Sequence, residues 1–418
     1  MEINFENKTE IAILAGLAAD CFKKEEQATD ETLDELEALL ETAGGVCAAK
    51  VLQNRHTPDP HSFVGEGKAA EIKELVELHG ATMVIFDNDL SPSQIRALED
   101  ITGVTVLDRS ALILDIFAQR AKTAEGRLQV ELAQYKYLLP KLSGMGKSLS
   151  RQGGGIGTRG PGETKLETDR RHIRERITRL EAELAEVRRV RATQRRQRMK
   201  NDIPVVAIVG YTNAGKSTLL NYLTGAGIPA NNRLFDTLDT TTRQLTVSEH
   251  LSVLLSDTVG FIAKLPHHLV EAFKATLEEL EYADLLIHVI DAADPERAEH
   301  IAVVERLIEQ LAKPDIPVIS CYNKADLVER SELMVGRCVV SISAKSGDGV
   351  PDLLAMLERE LLDTLHHVTF LLPYSAAGQV DVLHSQAQVL RCDYKDNGIE
   401  VEAVCDDTLY GRLKEYEI

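Results

Sequence analysis

The chain contains no CxxC pair. Its six cysteines, at positions 21, 47, 321, 338, 392 and 405, are scattered, with no companion histidine cluster. A disulfide framework and a zinc site are both disfavoured, leaving ordinary buried thiols. The N-terminus lacks a basic-then-apolar signal pattern. No apolar run approaches the ~18 residues needed to cross a bilayer. These absences predict a cytoplasmic protein with no membrane-spanning segment. Excess positive charge is also missing: the formal net charge is -19. The chain as a whole therefore does not announce a nucleic-acid binder, although an acidic total can hide a basic element.

What is present is globular in composition, 44% hydrophobic and 27% charged over 418 residues. That length suggests about two to four domains. Residues 1–110 read as alternating strands and helices. Val46 to Gln53, Met83 to Phe86 and Val104 to Leu107 read as strands. Gly67 to Leu78 has helical spacing, and Ser91-Pro92 opens a helix to Asp100 with a cap residue and a first-turn proline. Such alternation implies a small parallel sheet.

Residues 111–200 differ. Leu128, Leu132, Tyr135 and Leu139 form one apolar seam; Leu166, Ile173, Ile177, Leu180, Leu184 and Val187 form another. Two such helices most simply pair as an antiparallel hairpin. Between them, residues 143–165 hold eight glycines (144, 146, 153, 154, 155, 157, 160 and 162), which predicts a long non-helical tip. Residues 170–200 carry twelve Arg or Lys against four Glu, a local charge of about +8. The tip adds Lys147, Arg151, Arg159 and Lys165. A basic stripe beside a basic tip fits a polyanion footprint. The tip has no aromatic residue, so phosphate contact and shape are indicated rather than base stacking.

The chemistry is concentrated after residue 200. Gly210-Tyr211-Thr212-Asn213-Ala214-Gly215-Lys216-Ser217 fits the phosphate-loop pattern GxxxxGK[ST], between the apolar run Val205 to Val209 and the helix-like Thr218 to Leu223. Backbone N–H groups, the helix N-terminus and the Lys216 ammonium would face the phosphates, and the Ser217 hydroxyl would ligate Mg²⁺. Asp257-Thr258-Val259-Gly260 follows the strand Leu251 to Leu255, about forty residues on. Asp257 can hold the metal directly or through water, and the Gly260 N–H can meet the γ-phosphate. Asn323-Lys324-Ala325-Asp326 follows the strand Val318 to Cys321; a carboxylate such as Asp326 accepts from guanine N1–H and the exocyclic amine, so GTP and GDP are expected rather than ATP. Ser343-Ala344-Lys345 follows Val339 to Ile342 and can offer a backbone N–H to the guanine oxygen.

Between the first two motifs lies Phe235-Asp236-Thr237-Leu238-Asp239-Thr240-Thr241-Thr242-Arg243. A threonine here could close on Mg²⁺ in the GTP state; Thr237 and Thr240 to Thr242 compete on chemistry alone. Phe261 stands after Gly260 where many GTPases carry a water-orienting Gln. A phenyl ring cannot orient water, so intrinsic turnover is expected to be slow, with a partner or ion supplying part of what is missing. Asn213 offers a carbonyl oxygen for a monovalent cation, K⁺. The residues expected to take part in catalysis are thus Lys216, Gly260 and Asn213.

Together these residues resemble the HflX family of GTPases. The stretch Gly153 to Arg171, GGGIGTRGPGETKLETDRR, is similar to that family's signature segment. Phe63-Val64-Gly65-Glu66-Gly67-Lys68 and Asp108-Arg109-Ser110 to Phe117 resemble its N-terminal markers, and Phe235 to Asp239 its first switch. The resemblance spans about residues 45–365. It implies a cytoplasmic GTPase that binds the large ribosomal subunit and its rRNA, with some members splitting stalled or idle ribosomes under stress, and with the hairpin tip entering near the peptidyl-transferase centre. It favours Thr237 as the switch ligand of Mg²⁺. Asp236 and Thr240 depart from the Ala and Pro common in the family, so switch order can differ.

The expected fold is α/β: a small parallel N-terminal α/β domain (1–110), a helical hairpin (111–200, tip 143–165), a Ras-like phosphate-loop GTPase domain (201–365) and a small C-terminal appendage (366–418). A monomer is expected. Competing readings are a GTPase of tRNA modification or ribosome assembly, and a GTP-switched regulator that binds a protein. Gly65-Glu66-Gly67-Lys68 is too short a match to support ATP binding by the N-terminal domain.

Overall fold

The computed structural model describes residues 10–143, 161–199, 203–225, 234–235, 242–248, 251–264, 280–329, 334, 336–362 and 365–418. The glycines and basic residues of the tip between 144 and 160 lie outside these residues, as do Asp236 to Thr241. The chain forms two compact units: residues 1–185 with 231–239 and 262–274, and the remainder.

The first unit opens with β1 (Ile11–Ala19), α1 (Asp30–Ala43), β2 (Val46–Arg55), α2 (Glu66–His79), β3 (Met83–Phe86), α3 (Pro92–Thr102), β4 (Thr105–Asp108) and α4 (Arg109–Arg120). The strands run in the order β2-β1-β3-β4, all parallel, as the alternation predicted. Ser91 caps α3, accepting from Gln94 N, and Gly103 closes it in the left-handed conformation. Sequence reading did not assign β1, α1 or α4. Ile11–Ala19 is a continuous apolar run because β1 lies inside the sheet, so it shows no alternation. The core gathers Ile13, Leu17, Ile72, Val84, Phe86 and Leu98.

α5 (Ala124–Ser143) and α6 (Pro161–Met199) follow. Leu132, Leu180 and Leu184 are buried together, with Leu128, Tyr135 and Ile177 packed against them, so the two predicted seams do meet. Glu131 pairs with Arg176 at 2.7 Å and Lys136 with Glu181 at 2.9 Å. One expectation is corrected: Gly162 and Lys165 belong to α6, which begins at Pro161. A proline at a helix start costs no backbone hydrogen bond, and its fixed φ suits the first turn.

A buried ion network ties this unit together. Asp87, at the end of β3, is fully buried; its Oδ1 accepts from Arg109 Nη1 at 2.7 Å and its Oδ2 from Thr32 Oγ1 at 2.8 Å. Lys264 also pairs with Asp87, and Glu35 pairs with Arg109. Burial pushes the Asp87 carboxyl up, but Arg109 and Lys264 outweigh it and hold it below its usual 3.8.

The second unit carries β5 (Val205–Gly210), α7 (Lys216–Thr224), β6 (Thr242–Thr246), β7 (Ser252–Asp257), β8 (Leu285–Asp291), α8 (Arg297–Leu311), β9 (Val318–Asn323), β10 (Val339–Ser341) and α9 (Val350–Leu362). The sheet order is β10-β9-β8-β5-β7-β6, parallel except for β6. The chain turns from one side of β5 to the other, so the loop after β5 sits where the strand order reverses, the usual ligand crevice of an open α/β sheet.

The C-terminal segment adds β11 (Leu365–Leu372), α10 (Gly378–Gln386), β12 (Gln388–Lys395), β13 (Gly398–Asp406) and α11 (Asp407–Leu413). Its antiparallel sheet has the order β11-β13-β12. Val380 to Val382, expected as a strand, lies in α10 instead; Val380 and Leu383 face the core, at helical spacing. The strand expected at Ile399 to Val404 is β13.

Asp87→Ala removes one of the two carboxylates paired with buried Arg109, and breaking a buried ion pair costs about 3–5 kcal/mol. Urea unfolding at pH 7 should show it as a lowered midpoint. Because the folded-state pKa of Asp87 is depressed, its contribution is present above about pH 4 and is lost as pH falls further. The variant's deficit should therefore shrink in acid.

Candidate nucleotide site

The phosphate-loop residues sit between the end of β5 and α7, with the left-handed Gly215 (φ +97) as the last residue before the helix. A Cβ on Gly215 would overlap the Asn323 side-chain nitrogen, so the position admits only glycine. Asn213 is also left-handed, φ +62.

Lys216 is buried. Its Nζ donates to Gly210 O at 3.0 Å and to Tyr211 O at 2.7 Å. An ammonium has three donors, so among the described residues two are used and a third can aim at an anion. Burial pushes the ammonium down to about 8, against the pull of Asp257. Buried His288 is held near 4, first by burial and then by the Lys216 charge, so this imidazole is neutral. Ser217 Oγ donates to Asp257 Oδ2 at 3.2 Å. A hydroxyl and a buried carboxylate side by side are the hard oxygen donors that suit Mg²⁺.

The second motif folds back onto the loop. Thr212 N donates to Phe261 O at 2.7 Å, and Phe261 N donates to Gly210 O at 3.2 Å. Gly260 approaches closely: a Cβ there would lie 3.0 Å from Lys216 Nζ. Thr258 Oγ1 donates to Ile208 O at 2.7 Å, so this threonine is spent on the sheet. Phe261 is 2% exposed. Its ring is committed to packing and cannot order a water.

Asn323 joins two motifs. Its Nδ2 donates to Ala214 O at 2.8 Å, and its Oδ1 accepts from Ala344 N at 2.9 Å. Lys324, left-handed at φ +62, pairs with Asp291 at 2.6 Å. Asp326 and Lys345 are exposed, and Ser343 is buried, its N donating to Asp348 O at 2.9 Å. Gly210 to Ser217, Asp257 to Gly260, Asn323 to Asp326 and Ser343 to Lys345 thus all fall in one unit, at the ends of β5, β7, β9 and β10.

Phe235, expected among the nucleotide-binding residues, has a packed ring. It belongs to the first unit, 2% exposed, its ring edge-on to Phe117 at 4.7 Å. Asp236, Thr237, Leu238 and Asp239 lie outside the described residues. Sequence reading missed Asp291 and His300. The first was legible as a carboxylate ending the apolar strand β8. The second, stacked on Tyr211 at 3.7 Å between ring centroids, carried no local signal.

Comparison with known proteins agrees with this geometry. Residues 205–324 match a family described as "50S ribosome-binding GTPase". Residues 30–118 match "GTP-binding GTPase N-terminal", and 120–198 "GTP-binding GTPase Middle Region". The GTPase HflX of Caldanaerobacter subterraneus subsp. tengcongensis is 50% identical over 93% of this chain and 91% of that one. The chain belongs to the HflX family of GTPases. The HflX of Lacrimispora saccharolytica is 47% identical over 93% of both chains, and that of Escherichia coli 47% identical over 82% of both. The solved SsGBP–GDP complex is similar at a TM-score of 0.49, with 24% identity over 84% of this chain and 98% of that one. As an HflX-family member the protein is a phosphate-loop GTPase that binds GTP and GDP and hydrolyses GTP. GTPases of this kind use Mg²⁺; Ser217 with Asp257 would hold it, and the ion would supply charge neutralisation to the phosphates. Among the described residues no helix is long and apolar enough to cross a membrane.

Phosphate binding should recharge Lys216. Because its unbound pKa is depressed to about 8, GTP affinity should be flat below that pH and fall above it. Fluorescent-nucleotide titration should show a Kd roughly twenty- to thirtyfold weaker at pH 9.5 than at pH 7.5. Lys216→Ala should bind far more weakly and lose the pH dependence.

Proposed function

We propose that this GTPase is a factor of the large ribosomal subunit, bound in its GTP form, released after hydrolysis, and able to dissociate stalled or idle ribosomes in the cytoplasm. The observation that carries the reading is the cationic helix α6. Residues 170–200 keep a charge of about +8 on a chain whose net charge is -19. Arg171, Arg174, Arg179 and Arg189 are more than half exposed. Neighbouring glutamates pair with several of these arginines, yet the excess remains. The description of the family matched by residues 205–324 supports the same partner.

The proposed division of labour follows the domains 1–110, 111–200, 201–365 and 366–418. The hairpin and its tip contact rRNA, and the GTPase domain supplies timing. In the nucleotide site, Gly210 to Ser217 cradle the phosphates, with Lys216 and the Gly260 N–H on the γ-phosphate. Asp326, helped by the Ser343 to Lys345 turn, reads guanine. Thr237 would join Ser217 in holding Mg²⁺ in the GTP state. Asn213 offers its carbonyl oxygen to K⁺, which supplies charge where Phe261 supplies none.

The test is GTP hydrolysis by the pure protein with and without isolated large subunits, in potassium buffer. Strong stimulation by the large subunit and not the small one is expected. No stimulation by either contradicts the reading and moves weight to tRNA or a protein partner. Affinity for the large subunit should also fall steeply with salt, by about 0.7–0.9 log units per phosphate contact. A salt-insensitive complex would favour a protein contact.

The cation proposal has its own measurement. Turnover in potassium should exceed turnover in sodium, and Asn213→Ala should remove the difference. Equal rates in the two buffers would refute it.

A further inference from the structure

The second residue of the phosphate loop is braced from outside the site. The Tyr211 ring stacks on the imidazole of His300, with centroids 3.7 Å apart and planes within 12°. His300 lies in the first turn of α8. Its Nδ1 is 3.0 Å from Asp294 Oδ2, and Asp294 Oδ1 accepts from Glu296 N at 2.8 Å. The imidazole is therefore fixed by a carboxylate that is itself fixed by the turn before the helix. Glu296 Oε2 lies 3.9 Å from the other ring nitrogen.

On the other side, the Tyr211 backbone faces the chemistry. Its carbonyl accepts from Lys216 Nζ at 2.7 Å and from Ala214 N at 3.3 Å. The same residue bridges Phe261, next to Gly260. A shift of the Tyr211 ring therefore moves the carbonyl that aims the ammonium.

We propose that His300 is a positioning residue for GTP hydrolysis: clamped by Asp294, it braces Tyr211 and thereby sets where Lys216 points. The inference rests on the GTPase activity and not on the ribosomal role. It assigns function to a residue outside all four nucleotide motifs. The fold does not need the stack, since α8 is anchored in the core by Val304 and Ile308. What the stack fixes is a donor whose partner gains charge in the transition state. Misplacing such a donor costs turnover more than ground-state binding.

The test is steady-state GTP hydrolysis by the full-length protein without ribosomes, with nucleotide affinity and melting temperature measured alongside. His300→Ala should lower kcat roughly tenfold while KM for GTP changes less than about threefold, because small misplacements act on the chemical step. Its melting temperature should stay within about 2–4 °C of the parent, the shift of a loss near 1 kcal/mol. His300→Phe keeps a ring against Tyr211 and should recover most of the rate. Tyr211→Leu should lose as much as His300→Ala, and the double variant should lose no more than either, since both break one contact. Parental kcat in His300→Ala overturns the proposal. So does a double variant whose losses multiply, or a rate loss that His300→Phe does not relieve.

Discussion

The nucleotide site depends on one side-chain amide. Asn323 donates to the phosphate loop at Ala214 O and accepts from the base-side turn at Ala344 N. Its nitrogen occupies the space a Cβ on Gly215 would need. Loop, strand β9 and turn are therefore locked in one geometry by a buried group with both ends satisfied. Such a group is costly to leave half-bonded, which makes the arrangement all-or-none rather than adjustable. Motifs spread from residue 210 to residue 345 act as one site because of it.

Two buried cations illustrate opposite uses of burial. Lys264 meets Asp87 within a closed network that includes Arg109 and Glu35. Its charges are matched, and the network serves the fold of the first unit. Among the described residues, buried Lys216 has two backbone carbonyls as hydrogen-bond acceptors and the pull of Asp257. Its ammonium is held down, near 8, and gains most when phosphate oxygens arrive. Neutral His288 adds no competing charge. A site kept under-neutralised in this way is built to receive an anion.

Much of this was legible in the residues, for definite reasons. Ser91-Pro92 announced α3 because capping is local chemistry. The four nucleotide motifs announced themselves because each needs a fixed residue order at a strand end. The apolar seams of α5 and α6 announced their pairing because packing repeats along a helix. What stayed hidden depends on distance in sequence. β1 lies inside its sheet and so shows no alternation, and Val380 to Val382 alternates by chance within a helix. The Asp87–Arg109–Lys264 network joins residues far apart in the chain. His300 gains its meaning from Tyr211, across most of the GTPase fold. The contact of Phe235 with Phe117 likewise joins residues far apart in the chain.

Control of ribosome binding by nucleotide state, as proposed above, requires different affinities in the two states. The most direct measurement is the Kd for purified large subunits of the protein loaded with a non-hydrolysable GTP analogue, against the same protein loaded with GDP. Binding at least about tenfold tighter with the analogue is expected, a difference of about 1.4 kcal/mol. Equal affinities in the two states would contradict it.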